Sequence, residues 1–196
     1  VVFAAMLVLV VSRPRGWSEA WWTSGAAALV LALGLVTPLQ AGLVLAAGRN
    51  TLLFLLALLV LSLLIGVSGF FDWAAIHCAR WAGGDARALY RNTFVLGALV
   101  SAFLSLDTTA VMLTPVVLAL VKRVKVPALP YVVLCAMVAN VGSLLFPVSN
   151  LTNLLFADAF HFSFASFVVR TALPQAAALV LLHALLQRWF RSELPR

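Results

Sequence analysis

The stretch Ser105-Leu106-Asp107-Thr108-Thr109 sets one carboxylate between fifteen uncharged residues (92–106) and fourteen more (108–121). A carboxylate inside so long an apolar run sits at membrane depth. It is expensive there, and by default it marks a functional site. An Asp so placed can carry a proton or neutralise a bound cation, and Thr108 and Thr109 add hydroxyls beside it. A second polar interruption lies downstream at 147–153, where Ser149, Asn150, Thr152 and Asn153 break an apolar stretch that then resumes. With Asn140 and Ser143 on the approach, these residues supply neutral donors and acceptors suited to a small hydroxylated or anionic solute. Two plainer readings stand beside this one. Asp followed by Thr is also the composition of a helix N-cap, and Asn150-Leu151-Thr152 matches the N-glycosylation pattern, although no glycan reaches a site at membrane depth.

The elements that hold these groups must cross a membrane. The 196 residues are 64% hydrophobic and 10% charged, with a mean hydropathy of +1.11. That balance belongs to an all-α polytopic membrane protein with room for about five or six spans. The net charge of +7 would suggest nucleic acid in a soluble protein. Here the basic residues cluster at the ends of apolar segments, so they read as topology signal and contact with anionic lipid. Cys78 and Cys135 have no metal-ligand spacing and read as small buried hydrophobes, so no metal site, disulfide or cofactor is expected. The chain begins inside an apolar run without Met, as a trimmed first helix would.

In order, the pattern predicts scaffold transmembrane helices over 1–71, with spans at 23–39 and 51–71 and a loop around Gly42, Gly48 and Arg49. An interfacial helix and cytoplasmic loop follow over 72–90, where Trp73, Ile76 and Trp81 interleave with Asp72, His77 and Arg80. Residues 91–160 form the transport region. Its first part, 91–121, reads as a re-entrant helical hairpin. The arm 92–106 would be about 22 Å long as a helix, short of a hydrocarbon core of roughly 30 Å, and basic residues flank both ends. Its second part, 127–160, reads as a broken helix, in two pieces 131–146 and 154–160 around 147–153. Continuous helix over 131–160 would run some 45 Å, more than the core requires. Residues 161–196 form the final transmembrane helix and a cytoplasmic tail. With a re-entrant hairpin, 11 of the 13 basic residues fall on one side, all but Arg49 and Arg170. The positive-inside rule makes that side, C-terminus included, cytoplasmic.

Three stretches together resemble a known family: residues 68–75 (Ser-Gly-Phe-Phe-Asp-Trp-Ala-Ala), the hairpin 103–115, and 148–153 (Val-Ser-Asn-Leu-Thr-Asn). In order and spacing they are similar to the N-terminal half of arsenite efflux pumps of the ArsB type, which belong to the ion transporter superfamily with citrate and sodium/dicarboxylate carriers. The resemblance implies one repeat of an inverted-repeat fold whose hairpin tip and broken helix meet at the solute. It also implies elevator-type export of arsenite or antimonite as neutral hydroxides in exchange for protons, from the inner membrane, sometimes with a soluble ATPase docked on the cytoplasmic face. Asp107, Thr108 and Thr109 match the hairpin tip, and Ser149, Asn150, Thr152 and Asn153 match the broken helix. The chain departs from that family in having Leu106-Asp107-Thr108-Thr109 where the pumps carry Asn-Asp-Gly-Ala, and Asn140 where they carry an Asp. Asn140 removes an ionisable group.

The leading expectation is a half-length or fragmentary transporter for arsenite or antimonite, completed by a second repeat or a second chain. A sodium- or proton-coupled citrate or dicarboxylate carrier is the alternative within the superfamily, and a non-transporting structural membrane subunit is the alternative outside it. No paired intramembrane Asp, H-E-x-x-H or G-x-S-x-G supports an enzyme built on Asp107, His77 or His161.

Overall fold

The structure, a computed structural model, describes residues 1–194, the Arg15 side chain excepted; Arg196, one of the basic residues assigned to the cytoplasmic side, lies outside the described residues. Among these residues the regular structure is helical throughout. The chain divides into two units, Val1–Leu52 and Leu53–Arg196.

The first unit holds α1 (Val2–Ser12), α2 (Glu19–Ala32) and α3 (Pro38–Ala47). Arg13 turns the chain after α1 in the left-handed region and pairs with Glu19 at the start of α2. The expected span 23–39 is two helices, and the expected loop around Gly42 is the body of α3. The cause is local: Thr37 Oγ1 accepts from the Gln40 N–H at 3.2 Å while Gln40 Oε1 accepts from the Thr37 N–H at 2.9 Å. A capping box with proline at the first position starts a helix where the sequence reading placed a stop.

Helix α4 (Arg49–Val67) carries the chain across the unit boundary. It ends four residues earlier than expected, and Phe70 and Phe71 open α5 (Phe70–Ala82) instead. α5 buries Phe71, Ala74, Ala75, Cys78 and Ala82 at helical spacing and leaves Trp73, Ile76 and Trp81 exposed. His77 lies between Trp73 and Trp81 on that face, its ring centroid 4.4 Å from the first and its Nδ1 2.8 Å from the Trp73 carbonyl oxygen.

The core of the second unit is built on α6 (Ala86–Phe103) and α9 (Ala128–Gly142), which run parallel. Tyr90 meets Tyr131 edge-on at 5.4 Å, and a Cβ on Gly97 would come within 2.5 Å of Val138. A Cβ on Gly142 would lie 2.9 Å from Ser101. Each pair is 41 residues apart, so one register holds along the whole contact. The two glycines let the backbones approach as small residues do between membrane helices. Between α6 and α9 the chain turns back at Ser105. Ser101 and Thr109 share a hydrogen bond of 2.7 Å and Leu113 packs beside Gly97, so the returning strand of helix retraces α6. It comprises a single turn α7 (Leu106–Thr108), a π-helical segment (Thr109–Leu113) and α8 (Thr114–Arg123).

After α9 the helix breaks. The break falls over 143–150, four residues before the expected position, with one 3₁₀ turn (Pro147–Ser149) inside it, and α10 (Leu151–Ala159) resumes. The last helix, α11 (Phe164–Trp189), runs antiparallel to α9, with Gln175 Nε2 donating to the Gly142 carbonyl at 3.0 Å. Only α4 and α11, among the described residues, are long and apolar enough to cross a membrane as single helices.

Candidate functional site

The tip at Ser105 and the break after Gly142 meet. Ser149 is buried and its hydroxyl donates to the Ala102 carbonyl at the end of α6, which ties the break to the arm that leads into the tip. The third wall comes from α4. Together they enclose a cavity of about 370 Å³ whose polar lining is Ser62, Ser105, Asp107, Thr108, Ser149 and Asn150. Leu55, Leu58, Leu59 and Leu63 of α4 make its apolar side.

Capping at the tip belongs to Ser105, not Asp107. Ser105 Oγ accepts from the Thr108 N–H at 3.0 Å, so the N-cap role considered for Asp107 is filled by its neighbour. Asp107 is exposed to the cavity and makes no side-chain hydrogen bond or ion pair among the described residues. Its carboxylate is the lining's one formal charge, with no Lys, Arg or His beside it.

The hydroxyls at the tip form a directed chain. Thr108 Oγ1 donates to Ser62 Oγ at 2.7 Å, and Ser105 Oγ lies 2.8 Å from Thr108 Oγ1. Because Thr108 spends its proton on Ser62, Ser105 must donate to Thr108. The sequence backbone N–H, Ser105, Thr108, Ser62 then polarises in one direction and leaves the Ser62 proton as a donor in the cavity. The site therefore offers a solute an O–H donor and a carboxylate acceptor a few side chains apart.

The other sequence-predicted residues are placed as follows. Asn150 caps α10, its Oδ1 accepting from the Thr152 N–H at 3.0 Å. Asn153 closes the break from inside α10: Nδ2 donates to the Ser143 carbonyl at 2.7 Å and to the Phe146 carbonyl at 3.2 Å. The Ser143 carbonyl, left open where α9 ends, is thereby satisfied from within the protein, and the Phe146 carbonyl, which also accepts from the Ser149 N–H, is bonded twice. Thr109 is buried against Ser101 behind the tip. Thr152 is exposed outside the cavity. Asn140 is also exposed and outside it, with Nδ2 bound to the Ala136 carbonyl of its own helix at 2.9 Å. Of the eight predicted residues, the cavity gathers Asp107, Thr108, Ser149 and Asn150. Ser62 was missed; the signal available was a lone hydroxyl in the middle of α4. Ser105, the cap, was visible in the motif itself.

A helical protein with two interrupted segments meeting at a largely apolar cavity that carries a few polar groups, wrapped in exposed apolar side chains, defines a membrane protein of the transporter class. Residues 6–196 match the family described as CitMHS, citrate transporter, and the chain belongs to that family. It is 33% identical to the arsenical pump membrane protein of Escherichia coli K12 over 100% of this chain and 46% of that protein. It is 34% identical to the protein of that name from Yersinia enterocolitica, covering 99% and 46%. It is 24% identical to a putative arsenical pump membrane protein of Bacillus subtilis, covering 99% and 45%. The chain thus spans about half the length of the curated relatives it matches. No solved structure matches it.

Proposed function

We propose that the chain is the solute-binding half of an arsenite and antimonite exporter that exchanges its solute for protons by an elevator-type movement. The composition of the cavity carries this reading. A neutral trihydroxide can be held by O–H donors and one carboxylate with no charge to desolvate, and Asp107, free of protein partners, can take up the proton that exchanges with it. Similarity over the whole of this chain to about half of the arsenical pump membrane proteins supports the solute class.

The hairpin is read as re-entrant because of where its tip lies along α11. That helix is about 39 Å long, and Gln175, bonded to the end of α9, is roughly 17 Å from one end and 21 Å from the other. On this reading Ser101, level with the end of α9 through Gly142, falls near the membrane midplane, and the tip at Ser105 lies one turn, about 6 Å, beyond it. Positive charge gathered at the opposite end of the unit supports a cytoplasmic placement for that end, with the C-terminus, at the inner membrane.

A second reading, a citrate or dicarboxylate carrier, draws on the family description. It requires a co-bound cation, since the lining has no basic residue to receive carboxylates.

The test is arsenite uptake into everted vesicles carrying the native gene product, this chain alone, or the Asp107→Asn variant, with and without a proton gradient and with citrate as competitor. Gradient-driven uptake by the native product, insensitive to citrate and abolished in the inserted and folded variant, is expected; the chain alone is expected to insert without transporting. Sodium dependence and inhibition by citrate would establish the carboxylate reading instead, and full activity in the variant would remove Asp107 from the mechanism.

A further inference from the structure

The end of the second unit opposite the cavity collects positive charge that is not paired with acids among the described residues. Arg87 lies in the first turn of α6, Arg188 in the last turn of α11 and Arg191 just beyond it, and the three line one cavity of about 530 Å³ to which no carboxylate contributes among the described residues. Arg87 Nε donates to the Leu194 carbonyl at 3.0 Å, which fixes that guanidinium and leaves its two amino groups without protein partners among the described residues. Two acids lie within two residues of these arginines in sequence: Asp85 is occupied as the N-cap of α6, accepting from the Arg87 N–H at 2.8 Å, and Glu193 neither lines the cavity nor pairs with an arginine among the described residues. The sole ion pair among the described residues is Arg13 with Glu19, in the other unit. Three guanidiniums around one volume repel each other unless an anion sits between them, and their planar forks match the oxygens of a phosphate.

We infer that this cavity holds the phosphate of an anionic membrane lipid. The lipid source, as against free phosphate, follows from what lies beyond the arginines. The stripe of α11 that carries Arg188 continues through Ala184 to Leu181 and Val180, one turn at a time, and the last two are 60% and 71% exposed. A phosphate seated at the arginines thus has an apolar track for an acyl chain leading from it toward the membrane interior, the arrangement of headgroup pockets between membrane helices. Arg188 also offsets the macrodipole at its helix end; that role alone predicts no lipid dependence.

The experiment uses the native gene product, purified and returned to bilayers of equal parts phosphatidylethanolamine and phosphatidylglycerol, with retained lipid counted by native mass spectrometry. Arg188→Gln/Arg191→Gln is the test variant, because both side chains are exposed and outside the core, and Arg188→Lys/Arg191→Lys keeps the charge. Arg87 stays intact because of its bond to Leu194. Retention of phosphatidylglycerol is expected to fall about 30-fold in the glutamine variant, roughly fivefold for each charge lost, with unchanged melting temperature and partial retention in the lysine variant. Equal retention of phosphatidylglycerol by both glutamine variant and native protein overturns the proposal. Arginine-dependent binding of inorganic phosphate to the delipidated protein, without preferential retention of phosphatidylglycerol, assigns the cavity to a soluble anion and overturns the lipid source.

Discussion

Asp107 and Asn153 carry opposite expectations for stability. Asn153 spends its amide on the Ser143 and Phe146 carbonyls; the second also accepts from the Ser149 N–H at 3.2 Å, whereas the first has no other donor among the described residues. Removing that amide leaves the Ser143 carbonyl unpaired, at a cost of about 1–3 kcal/mol. Asn153→Ala is therefore expected to lower the thermal unfolding midpoint of the detergent-solubilised protein by several degrees. Asn153→Asp should lower it further, because a carboxylate would face carbonyl oxygens. Asp107→Asn, which breaks no bond among the described residues, should leave the midpoint within error of the parent. A drop in Asp107→Asn as large as that in Asn153→Ala would show that the carboxylate supports the fold. The same contrast shows what single residues disclose. Asp107 was legible because a charge in an apolar run has few structural uses, whereas Asn153 was read as a solute ligand because an amide's carbonyl partners appear only once the break is folded.

Helix α4 touches the tip along a short seam. Thr108 bonds Ser62, and Met112 Sδ would lie 3.3 Å from a Cβ on Gly66. Both contacts advance by one helical turn on each partner, so Ser62 and Gly66 form a small-residue groove along which the tip segment lies. Ser62 is the one buried residue of α4. If the tip moves past α4 during transport, joining the two should stop the cycle. Ser62→Cys/Thr108→Cys is expected to form a disulfide on mild oxidation, since the native hydroxyls are 2.7 Å apart, and to reduce transport to background until reductant is added. Undiminished transport by the fully cross-linked protein would mean that α4 and the tip travel together. The seam was not legible in the sequence: a serine in an apolar helix usually bonds its own preceding turn, and nothing local reports a partner 46 residues away. The paired interruptions themselves were legible, because apolar length set against bilayer thickness is a constraint that sequence alone carries. Their boundaries slipped by a few residues, since the break begins at Ser143, where Gly142 has already met Ser101.

Within the second unit, charge and cavity occupy different levels. The ends of α5 and α8 and the starts of α6 and α9 converge, with Tyr131 Oη donating to the Ala86 carbonyl at 3.0 Å, and the end of α11 joins them through Arg87 and Leu194. Arg80, Arg87, Arg91, Lys122, Arg123, Lys125, Arg188 and Arg191 thus share one end, as the sequence pattern anticipated on the premise of a returning hairpin. The turn at His161, beyond α10 and before α11, lies at the other. These levels give a topology test that needs no solute. Val124→Cys, Ala110→Cys and His161→Cys each place a thiol on an exposed position. The native Cys78 and Cys135 add little background: both are buried, and burial pushes the Cys78 thiol above its ordinary range, so less of it is thiolate. An impermeant maleimide is expected to label Val124→Cys from the cytoplasmic face only and His161→Cys from the opposite face only. Ala110→Cys, near the tip, should react far more slowly than either from both faces, yet react with a permeant maleimide. Labelling of Ala110→Cys from the His161 face as fast as His161→Cys itself would mean that α6 and α8 each cross the whole bilayer. The cavity at Asp107 would then open at a surface and not at the midplane, and an elevator would have no buried site to carry.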